Sequence, residues 1–516
     1  MIRKIFTISA ILLGWEMFSQ SNDSIYIPKK IDTDIFKELQ WLSPIHAQRL
    51  PIANYTISGV DLQFVNQNIK RVQTADKTQN YQFITEGVYR INEKIKVFGD
   101  FSFNKQIEKG IAYNLSSQRT QNQFLLSPNY YYSRAKGDWD NQFYQFTGGG
   151  SYAITPNLFL GLRVDYQNLL MARNIDPRPK NTGNDMQYML QLGYQWKEHM
   201  ASLSFSQRIF KEENQIYYEN KTLNTARDPE YYIRFSSGYG FNIYNENFSV
   251  YLNKLTSNKF GLDYSYSNSN HFFSLHYFYT KGDQPYYMRN DDSGTNTRPL
   301  EEDKYIRYNH FFKTHKIYSF YKHNKQTFPI SVFVSFENTQ GNNYIATTNS
   351  TNALFKTSNF ELVAMYESKR FFDHFGIDIK NQTINVKDYL GSTDKKNSTL
   401  DLSIFAQKDF PIKNNKLYTH LGLGVITPLE NQLHYNAVSQ DQDFANHVIL
   451  KDNIFDGTTK FKSSVILGYD LALPKKNTLR IKANYQLLQG KSNENQLDYQ
   501  IKGTNHFYGL GLMIVY

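Results

Sequence analysis

A strict alternation of apolar and polar residues recurs along most of the chain and limits the folds that it can adopt. In 186–196, every second position is apolar or aromatic, and three of the five positions between them are glutamines. Successive side chains of a β-strand point to opposite faces, so this pattern indicates a strand with one apolar and one polar face. The same alternation occurs in 158–167 and 479–487. The chain is therefore built mainly from amphipathic strands.

Similar segments give about 18 candidate strands, each of roughly the 9–11 residues or more that a tilted strand needs to cross a bilayer. Alternation is weakest in 303–322, 329–338 and 372–387, which lowers the count to 16, or to 14 if two hairpins lie outside the barrel. Short turns alternate with long polar stretches at 107–140, 211–257, 282–302 and 428–460. We predict an all-β fold, a transmembrane antiparallel up-and-down β-barrel of about 16–18 strands. Its short turns would be periplasmic and its long loops extracellular.

Composition agrees with a barrel and excludes several other classes of protein. The chain has 40 Tyr and 38 Phe, too many aromatic residues for a disordered protein. A mean hydropathy of −0.58 does not suit a helical membrane protein. The absence of cysteine excludes disulfides, thiolate metal sites and a catalytic thiol.

The N-terminal residues have the order of parts that an export signal requires. Residues 1–19 carry a short basic stretch and then an apolar core too short to span a bilayer, which predicts a signal peptide. Residues 20–52 would form a periplasmic N-terminal segment or a small plug, with a short helix over 32–42. Residues 53–516 would form the outer-membrane β-barrel. The sequence leaves open whether 20–52 enters the lumen.

The last strand carries apolar residues on one face and ends on an aromatic residue. These residues are Tyr508, Leu510, Leu512, Ile514 and Tyr516. Such a strand resembles the signal that outer-membrane barrels present to the barrel-insertion machinery. We therefore predict the outer membrane of a Gram-negative bacterium as the location. The expected partners are outer-membrane lipid and lipopolysaccharide, the insertion machinery and another outer-membrane transport component, with no nucleic acid.

The polar faces of the predicted strands would line the lumen. The candidate lumen residues combine both charges with amides: Arg163, Asp165, Gln187, Gln191, Arg480, Lys482 and Asn484. Such a lining admits water and polar solutes, or holds a plug by hydrogen bonds and ion pairs. The net charge of +10 is spread over a large surface and is mostly solvated.

The sequence contains no recognisable catalytic or metal-binding motif. The 12 histidines are scattered, and neither a His-Glu-x-x-His motif nor a Gly-x-Ser-x-Gly elbow is present. Histidines such as His271, His276 or His420 could in principle serve hydrolase chemistry, but nothing in the pattern distinguishes them. We expect no enzyme, no cofactor, no metal and no catalytic residue.

Three segments together resemble a known family. They are Leu42-Ser43-Pro44-Ile45, the Tyr144-to-Gly150 segment with three successive glycines, and the loop Asp176-Pro177-Arg178-Pro179-Lys180-Asn181. They resemble an uncharacterised family of outer-membrane β-barrel proteins of Bacteroidota, known only as a domain of unknown function. The resemblance implies a barrel and no established activity.

The Asp-Pro-Arg-Pro loop is a candidate element of the outer mouth of the barrel. Pro177 and Pro179 would stiffen it, and Arg178 and Lys180 would be held in a fixed shape beside Asp176. One interpretation is a rigid loop with two solvated cations. The other is a gate or an anion contact at the mouth.

Three functions fit these observations. The favoured one is a channel or an accessory component for uptake of a polar solute across the outer membrane. The alternative is a non-conducting scaffold subunit of a larger outer-membrane transport, secretion or assembly complex. An outer-membrane hydrolase is the least favoured. A 22-stranded transporter with a substantial plug domain is disfavoured, because only about 35 residues lie between the predicted signal and the first strand.

Overall fold

The computed structural model describes residues 43–45, 54–118, 128–223, 230–240, 242–244, 250–289, 301, 303–323, 329–368, 371–436, 442–474, 477–491 and 502–516. The predicted signal peptide and the helix predicted over 32–42 lie outside the described residues.

Eighteen antiparallel strands form one sheet that closes on itself. They are β1 (Tyr55–Gln67), β2 (Lys77–Arg90), β3 (Ile95–Ile111), β5 (Gly137–Ala153), β6 (Leu158–Arg173), β7 (Arg178–Trp196), β8 (His199–Tyr217), β11 (Val250–Ser267), β12 (His271–Arg289), β13 (Ile306–His323), β14 (Ile330–Ile345), β15 (Ser350–Glu367), β16 (His374–Asp388), β17 (Thr393–Ile412), β18 (Asn415–Tyr435), β19 (Thr459–Ala472), β20 (Thr478–Lys491) and β21 (Lys502–Val515). Each strand pairs with its neighbour along the chain in this set, and β21 also pairs with β1. This is an up-and-down barrel.

The strand number corrects the predicted range, because the lower counts of 16 and 14 are wrong. The weakly alternating segments all form wall strands, namely β13, β14 and β16. In β13 the pattern is obscured because aromatic residues occupy both faces: Phe320 is buried on the lumen side, while Phe311 is 41% exposed outside. Backbone pairing with both neighbours keeps such a strand in the wall.

The strands are also longer than predicted, with 13 residues in β1 and 21 in β18. The stretch 428–460, predicted as a loop, contains the end of β18 and the start of β19. The stretch 211–257 likewise contains the end of β8 and the start of β11, which are paired with each other. These extensions lack an apolar outer face, so sequence alternation does not reveal them.

The outer surface carries an apolar belt edged by aromatic side chains. Along β7, Leu190 and Leu192 are about half exposed and lie between Tyr188 and the pair Tyr194 and Trp196. The predicted insertion strand has the same arrangement, since Tyr508, Leu510, Leu512 and Tyr516 are all exposed on the outer face. Aromatic residues at both edges of an apolar band are typical of barrels in membranes.

The two rims differ in their connections. One, the short-turn rim, has turns such as 154–157, 197–198 and 413–414. The other, the long-loop rim, carries long connections that contain further elements. These are the short strands β4 (Asn129–Tyr132), β9 (Arg234–Ser237) and β10 (Asn242–Tyr244), which form a separate sheet, and a helical segment over 442–456. We call this sheet and helical segment the cap.

Candidate functional site

The candidate site is the lumen, whose wall carries paired charges. Arg163 is only 5% exposed, and its Nε donates to the Asp165 carboxylate at 2.9 Å. The Arg480 guanidinium donates twice to Asp470, at 2.8 and 2.9 Å. Because each of these two arginines has a carboxylate on the same or a neighbouring strand, this part of the wall offers polar surface in which the charges are paired.

The remaining predicted lumen residues have different surroundings. Gln187 is half-buried on β7. Asn484 overlies Gly509, where a Cβ would meet its side-chain oxygen. Lys482 and Asp61 flank Gly511. Further ion pairs lie on the lumen face. Lys380 with Glu361, Arg208 with Asp185 and Lys316 with Glu337 link neighbouring strands. Lys462 on β19 reaches Asp401 on β17 across the intervening strand β18.

Gln191 holds three residues of the N-terminal region inside the barrel. Its Oε1 accepts the backbone N–H of Ile45 at 3.1 Å, and its Nε2 is 2.7 Å from Ser43 Oγ. The same Nε2 is 2.8 Å from both Ser202 Oγ and Asp263 Oδ2. Ser43 and Ile45 are completely buried. We call Ser43–Ile45 the docked segment.

Two glycines make room for the docked segment. A Cβ on Gly161 would lie 3.0 Å from Ile45 Cγ1, and a Cβ on Gly193 would lie 3.1 Å from Ile45 Cδ1. Ile45 packs between them on Phe159 and Met200, each one residue from the start of its strand at the short-turn rim. Burial of one such side chain contributes about 1.5–3 kcal/mol. The lumen is therefore occupied near this rim.

A buried Asp–His pair contacts Gln191, the residue that binds the docked segment. His276 Nδ1 donates to Asp263 Oδ1 at 2.6 Å, and both side chains are completely buried. The other carboxylate oxygen accepts from Gln191 and from Ser202, the latter at 3.0 Å. We call Gln191, Ser202, Asp263 and His276 the docking cluster. Asp263 and Ser202 could have been found from sequence, because both occupy the polar face of an alternating strand.

The other two candidate histidines have separate contacts. His271 Nδ1 is 3.0 Å from the hydroxyl of Tyr321. His420 stacks on Phe405 with ring centroids 5.5 Å apart. The structure therefore does not bring His271, His276 and His420 together. Among the described residues, no three His, Asp or Glu side chains are grouped to hold a metal ion.

At the long-loop rim, the cap fills the outer part of the lumen. Tyr131 of β4 packs on Phe235 of β9 and on Tyr251 of the wall, with ring centroids 5.0 and 5.1 Å apart. Phe235 stacks on Tyr308 of β13, two strands along the wall from Tyr251, with ring centroids 5.0 Å apart. All four rings are buried. The outer mouth therefore contains a packed hydrophobic core.

Buried asparagines fasten the cap, and the 112–118 connection that precedes β4, to the wall. On β14, Asn343 Nδ2 donates to Asn129 Oδ1 at 3.0 Å and to Ser237 Oγ at 3.1 Å. On β7 and β8, the side-chain amides of Asn181 and Asn214 donate to the Leu115 carbonyl at 3.2 and 2.9 Å. These hydrogen bonds satisfy polar groups that the packed cap removes from water.

A buried ion cluster fixes the helical part of the cap. It consists of Arg71, Lys395, Asp452 and Asp456, of which Asp456 pairs with both Arg71 and Lys395. Arg71 is 3.8 Å from Asp452, whose other oxygen accepts the Val72 backbone N–H at 2.9 Å. All four charged side chains are at most 6% exposed. The cluster joins the β1–β2 connection, the β17 strand and the helical segment.

Burial affects the two carboxylates of this cluster differently. Burial raises the pKa of Asp452 to about 6, and nearby Arg71 only partly opposes this. Burial also acts to raise the pKa of Asp456, but Arg71 and Lys395 together hold the pKa of Asp456 below its ordinary value. Asp456 is thus the ionised partner, while Asp452 titrates near neutrality.

The predicted outer-mouth loop is shorter than expected. Only Asp176 and Pro177 belong to the connection; Arg178, Pro179 and Lys180 begin β7. The Asp176 carboxylate accepts backbone N–H groups of the 218–220 stretch at 2.9 and 3.2 Å and pairs with Arg178 at 2.9 Å. Pro179 is buried and Lys180 is exposed. Asp176 therefore organises the neighbouring loop.

A comparison with protein families finds one match. A model described as a family of unknown function (DUF6850) matches residues 44–516. The chain belongs to this family. The DUF6850 region begins within the docked segment and covers the wall and the cap. A comparison with curated proteins finds no match.

Several solved structures are similar to this DUF6850 barrel. The ferric citrate transporter FecA in its unliganded form is 9% identical, covers 90% of this chain and 79% of its own, and has a TM-score of 0.44. The siderophore receptor PiuA from Acinetobacter baumannii is 8% identical, the match covers 90% of this chain and 82% of PiuA, and the TM-score is 0.41. The outer membrane transporter YddB from Escherichia coli is 6% identical, the match covers 90% of this chain and 81% of YddB, and the TM-score is 0.40. Similarities this low carry no information about function.

No helix in the part of the DUF6850 chain that the structure describes is long and apolar enough to cross a membrane.

The pKa of Asp452 predicts that the cap loosens as pH rises. Its pKa in the folded cap, about 6, exceeds its ordinary value of 3.8, so the folded cap binds the proton more tightly. The stabilisation is complete below about pH 4 and is lost as pH rises through about 6. We expect amide hydrogen exchange in 442–456, corrected for intrinsic rates, to be about tenfold faster at pH 7.5 than at pH 5.

The matched variant is Asp452→Asn, which mimics the protonated carboxyl group. Its exchange rates in 442–456 should be similar at both pH values. Asp456, whose pKa is lowered, has the opposite effect and destabilises the cap only as pH falls through that lowered pKa. Equal pH dependence in the wild type and in Asp452→Asn would contradict the assignment to Asp452.

Proposed function

We propose that the protein is an outer-membrane β-barrel of a Gram-negative bacterium that takes part in the uptake of a polar solute through its lumen. In the resting state the lumen is closed at both ends by the protein itself. The long-loop rim faces the outside, and the short-turn rim faces the periplasm. Support for the membrane location comes from the apolar belt with its aromatic edges, because a closed barrel leaves no unpaired strand edge in lipid.

The docked segment is the observation that carries this proposal. Ser43–Ile45 is bound inside the lumen by a cluster of polar side chains, and other parts of the wall carry ion pairs such as Arg163 with Asp165. A polar wall suits a polar solute, whereas a permanent scaffold does not require a polar lumen. The docked segment is held mainly by hydrogen bonds to Gln191 and by burial of Ile45, and contacts this few allow it to be released. We propose that residues 20–52 form a small plug at the periplasmic end.

A second function is favoured by the packing of the cap. The cap has a hydrophobic core, buried asparagine contacts and a buried ion cluster, which together suit a fixed closure. A barrel that never opens would act as a non-conducting scaffold in a larger outer-membrane complex. In either case the C-terminal strand with Tyr508 and Tyr516 would serve recognition by the insertion machinery.

Conductance in planar bilayers distinguishes the two functions. We expect the full chain to conduct little, because both ends are closed. Removal of residues 20–45 alone leaves the cap in place and should change little. Combining this deletion with Asp456→Asn removes the countercharge of Arg71 and Lys395 and should produce polar-solute conductance well above background.

Hydrogen exchange in 442–456, measured on the same preparations, shows whether the combined variant has loosened the cap. If the combined variant exchanges rapidly in 442–456 and still does not conduct, uptake through the lumen is wrong and the scaffold is favoured. If the full chain conducts as an open pore, the closed resting state is wrong. Conductance only in the combined variant supports the proposal.

A further inference from the structure

Three lysines on the outer face of the wall have no anionic partner among the residues that the structure describes. They are Lys281 of β12, Lys313 of β13 and Lys356 of β15, and we call them the lysine row. All three are exposed, and none of their ammonium groups forms an ion pair or a hydrogen bond with a described residue. The row therefore presents three uncompensated positive charges.

Strand pairing places these lysines side by side across the sheet. Lys281 lies directly opposite Lys313. Gln340 of β14 lies opposite both Lys313 and Lys356. Neighbouring strands are about 4.8 Å apart, so the row spans about 14 Å. Like charges directly opposite each other destabilise a pair of strands, and an anion bound between them would remove this repulsion.

The lysine row lies at the outer edge of the apolar belt. Lys281 is ten residues from the start of β12 at the short-turn rim, which is about 25 Å above that rim for a strand tilted by about 40°. The apolar band of a membrane barrel has about this height. The next outward positions toward the short-turn rim are Tyr279 and His315, whose rings are 5.0 Å apart. Tyrosine is favoured at the level of the lipid headgroups.

Apolar side chains continue the row downward into the belt. Ile317 lies four residues from Lys313 toward the short-turn rim, and Phe360 lies four residues from Lys356 in the same direction. They are 38% and 37% exposed on the outer face, and Phe336 takes the corresponding place on β14. A ligand that fits both levels has an anionic head and apolar chains, as a lipid does. A free anion would contact only the upper level.

Other lysines of the outer face are neutralised by the protein itself. Their ion pairs are Lys105 with Asp140, Lys211 with Glu301 and Lys396 with Glu430. The nearest carboxylate to the row along β12 is Asp283, two residues from Lys281, and its charged neighbour is Lys254. The described residues therefore supply no countercharge at the row.

We propose that the lysine row binds the phosphate groups of lipopolysaccharide in the outer leaflet, with the acyl chains lying on Ile317, Phe336 and Phe360. Hydrogen bonds from ammonium groups to phosphate oxygens are among the strong, charge-assisted ones. A head that carries more than one phosphate suits a row about 14 Å long. This inference rests on the outer-membrane location in the proposed function, and it holds for an uptake barrel and for a scaffold.

Lipid binding by the purified full chain tests the lysine row. The protein is delipidated in detergent, diphosphoryl lipid A is added, and bound lipid is quantified by native mass spectrometry. The combined variant Lys281→Gln, Lys313→Gln, Lys356→Gln should bind about a hundredfold more weakly, because each lysine near a membrane surface contributes roughly a factor of five. The single variant Lys313→Gln, which disturbs the wall least, should bind about fivefold more weakly. Lipid A without its phosphates should bind the wild type as weakly as diphosphoryl lipid A binds the combined variant.

The matched control removes the same charge from lysines that have a partner. Lys105→Gln, Lys211→Gln and Lys396→Gln are combined in one chain, which should bind diphosphoryl lipid A as the wild type does. Wild-type affinity in both row variants would overturn the proposal, and so would an equal loss in the control. Displacement of lipid A by an equimolar amount of inorganic phosphate or of phosphatidylglycerol would also overturn it, because the row would then be a general anion site.

Failure of this inference can be distinguished from failure of the proposed function. Recovery of the wild type outside the outer membrane on fractionation would overturn the location and the lipid site together. Recovery in the outer membrane with equal lipid binding by wild type and row variants would overturn the lipid site alone. If the row binds lipid A but the combined deletion variant does not conduct, the lipid site is correct and uptake is wrong.

Discussion

Replacing Gly193 with valine is expected to displace Ser43–Ile45 and open the short-turn end of the lumen. A Cβ at this position already lies 3.1 Å from Ile45 Cδ1, so the two methyl groups of valine require the space that Ile45 occupies. Loss of the Ile45 burial, about 1.5–3 kcal/mol, corresponds to a change of roughly tenfold to a hundredfold in the population of the docked state.

Thiol labelling measures this opening, because the chain contains no cysteine of its own. A reporter Ser204→Cys lies on the lumen face of β8, in register with Gln191. Its labelling by a small water-soluble reagent should accelerate at least tenfold in Gly193→Val. Gly511→Val is the matched control, a lumen-facing glycine whose Cβ would lie 3.1 Å from the end of the Asp61 side chain and 3.9 Å from Lys482 Cβ and Met513 Cε. Equal acceleration in both variants would show that the docked segment does not protect this site.

Replacing Asp456 with asparagine is expected to loosen the whole cap. Arg71 and Lys395, both nearly completely buried, would lose the carboxylate that each contacts. Removal of one partner from a buried ion pair typically costs about 3–5 kcal/mol, because the remaining charges stay desolvated. We expect hydrogen exchange in 442–456 to accelerate by roughly two to four orders of magnitude.

The matched control is Glu430→Gln on the same loop side of the barrel. Glu430 pairs with Lys396, which is about half exposed, and such surface pairs contribute about 0–1 kcal/mol. Its exchange rates should change little. If Asp456→Asn left exchange and protease resistance of the cap as slow as in Glu430→Gln, the ion cluster would not anchor the cap.

Much of the wall could be predicted from the sequence, because alternate residues of a strand in a bilayer face lipid and the polar lumen, and the local sequence shows this alternation. The residues Leu190 and Leu192 face outward and Gln191 inward, which follows from position parity alone. The same reasoning fails for β13, where Phe320 faces the lumen, and for the outer parts of β8 and β11, where both faces meet water or loops. In these segments, hydrogen-bonded pairing with neighbouring strands, rather than the local sequence pattern, determines where the strand begins and ends.

The site was less accessible to sequence reasoning. Gln191 was among the residues expected in the lumen, but its role depends on Ser43 and Ile45, which are about 150 positions away in the chain. Arg71 and Asp456 are farther apart still and lie in connections without periodicity. Neither contact leaves a local signal.

By itself, the sequence determined most of the residues that form the wall and which of their faces meets the apolar belt, because side-chain direction in a strand alternates with every residue. Only the tertiary structure decided the closure of the lumen. The docked segment, the cap and the ion cluster each join residues from distant strands, and the energy of such contacts depends on which surfaces meet rather than on any local pattern.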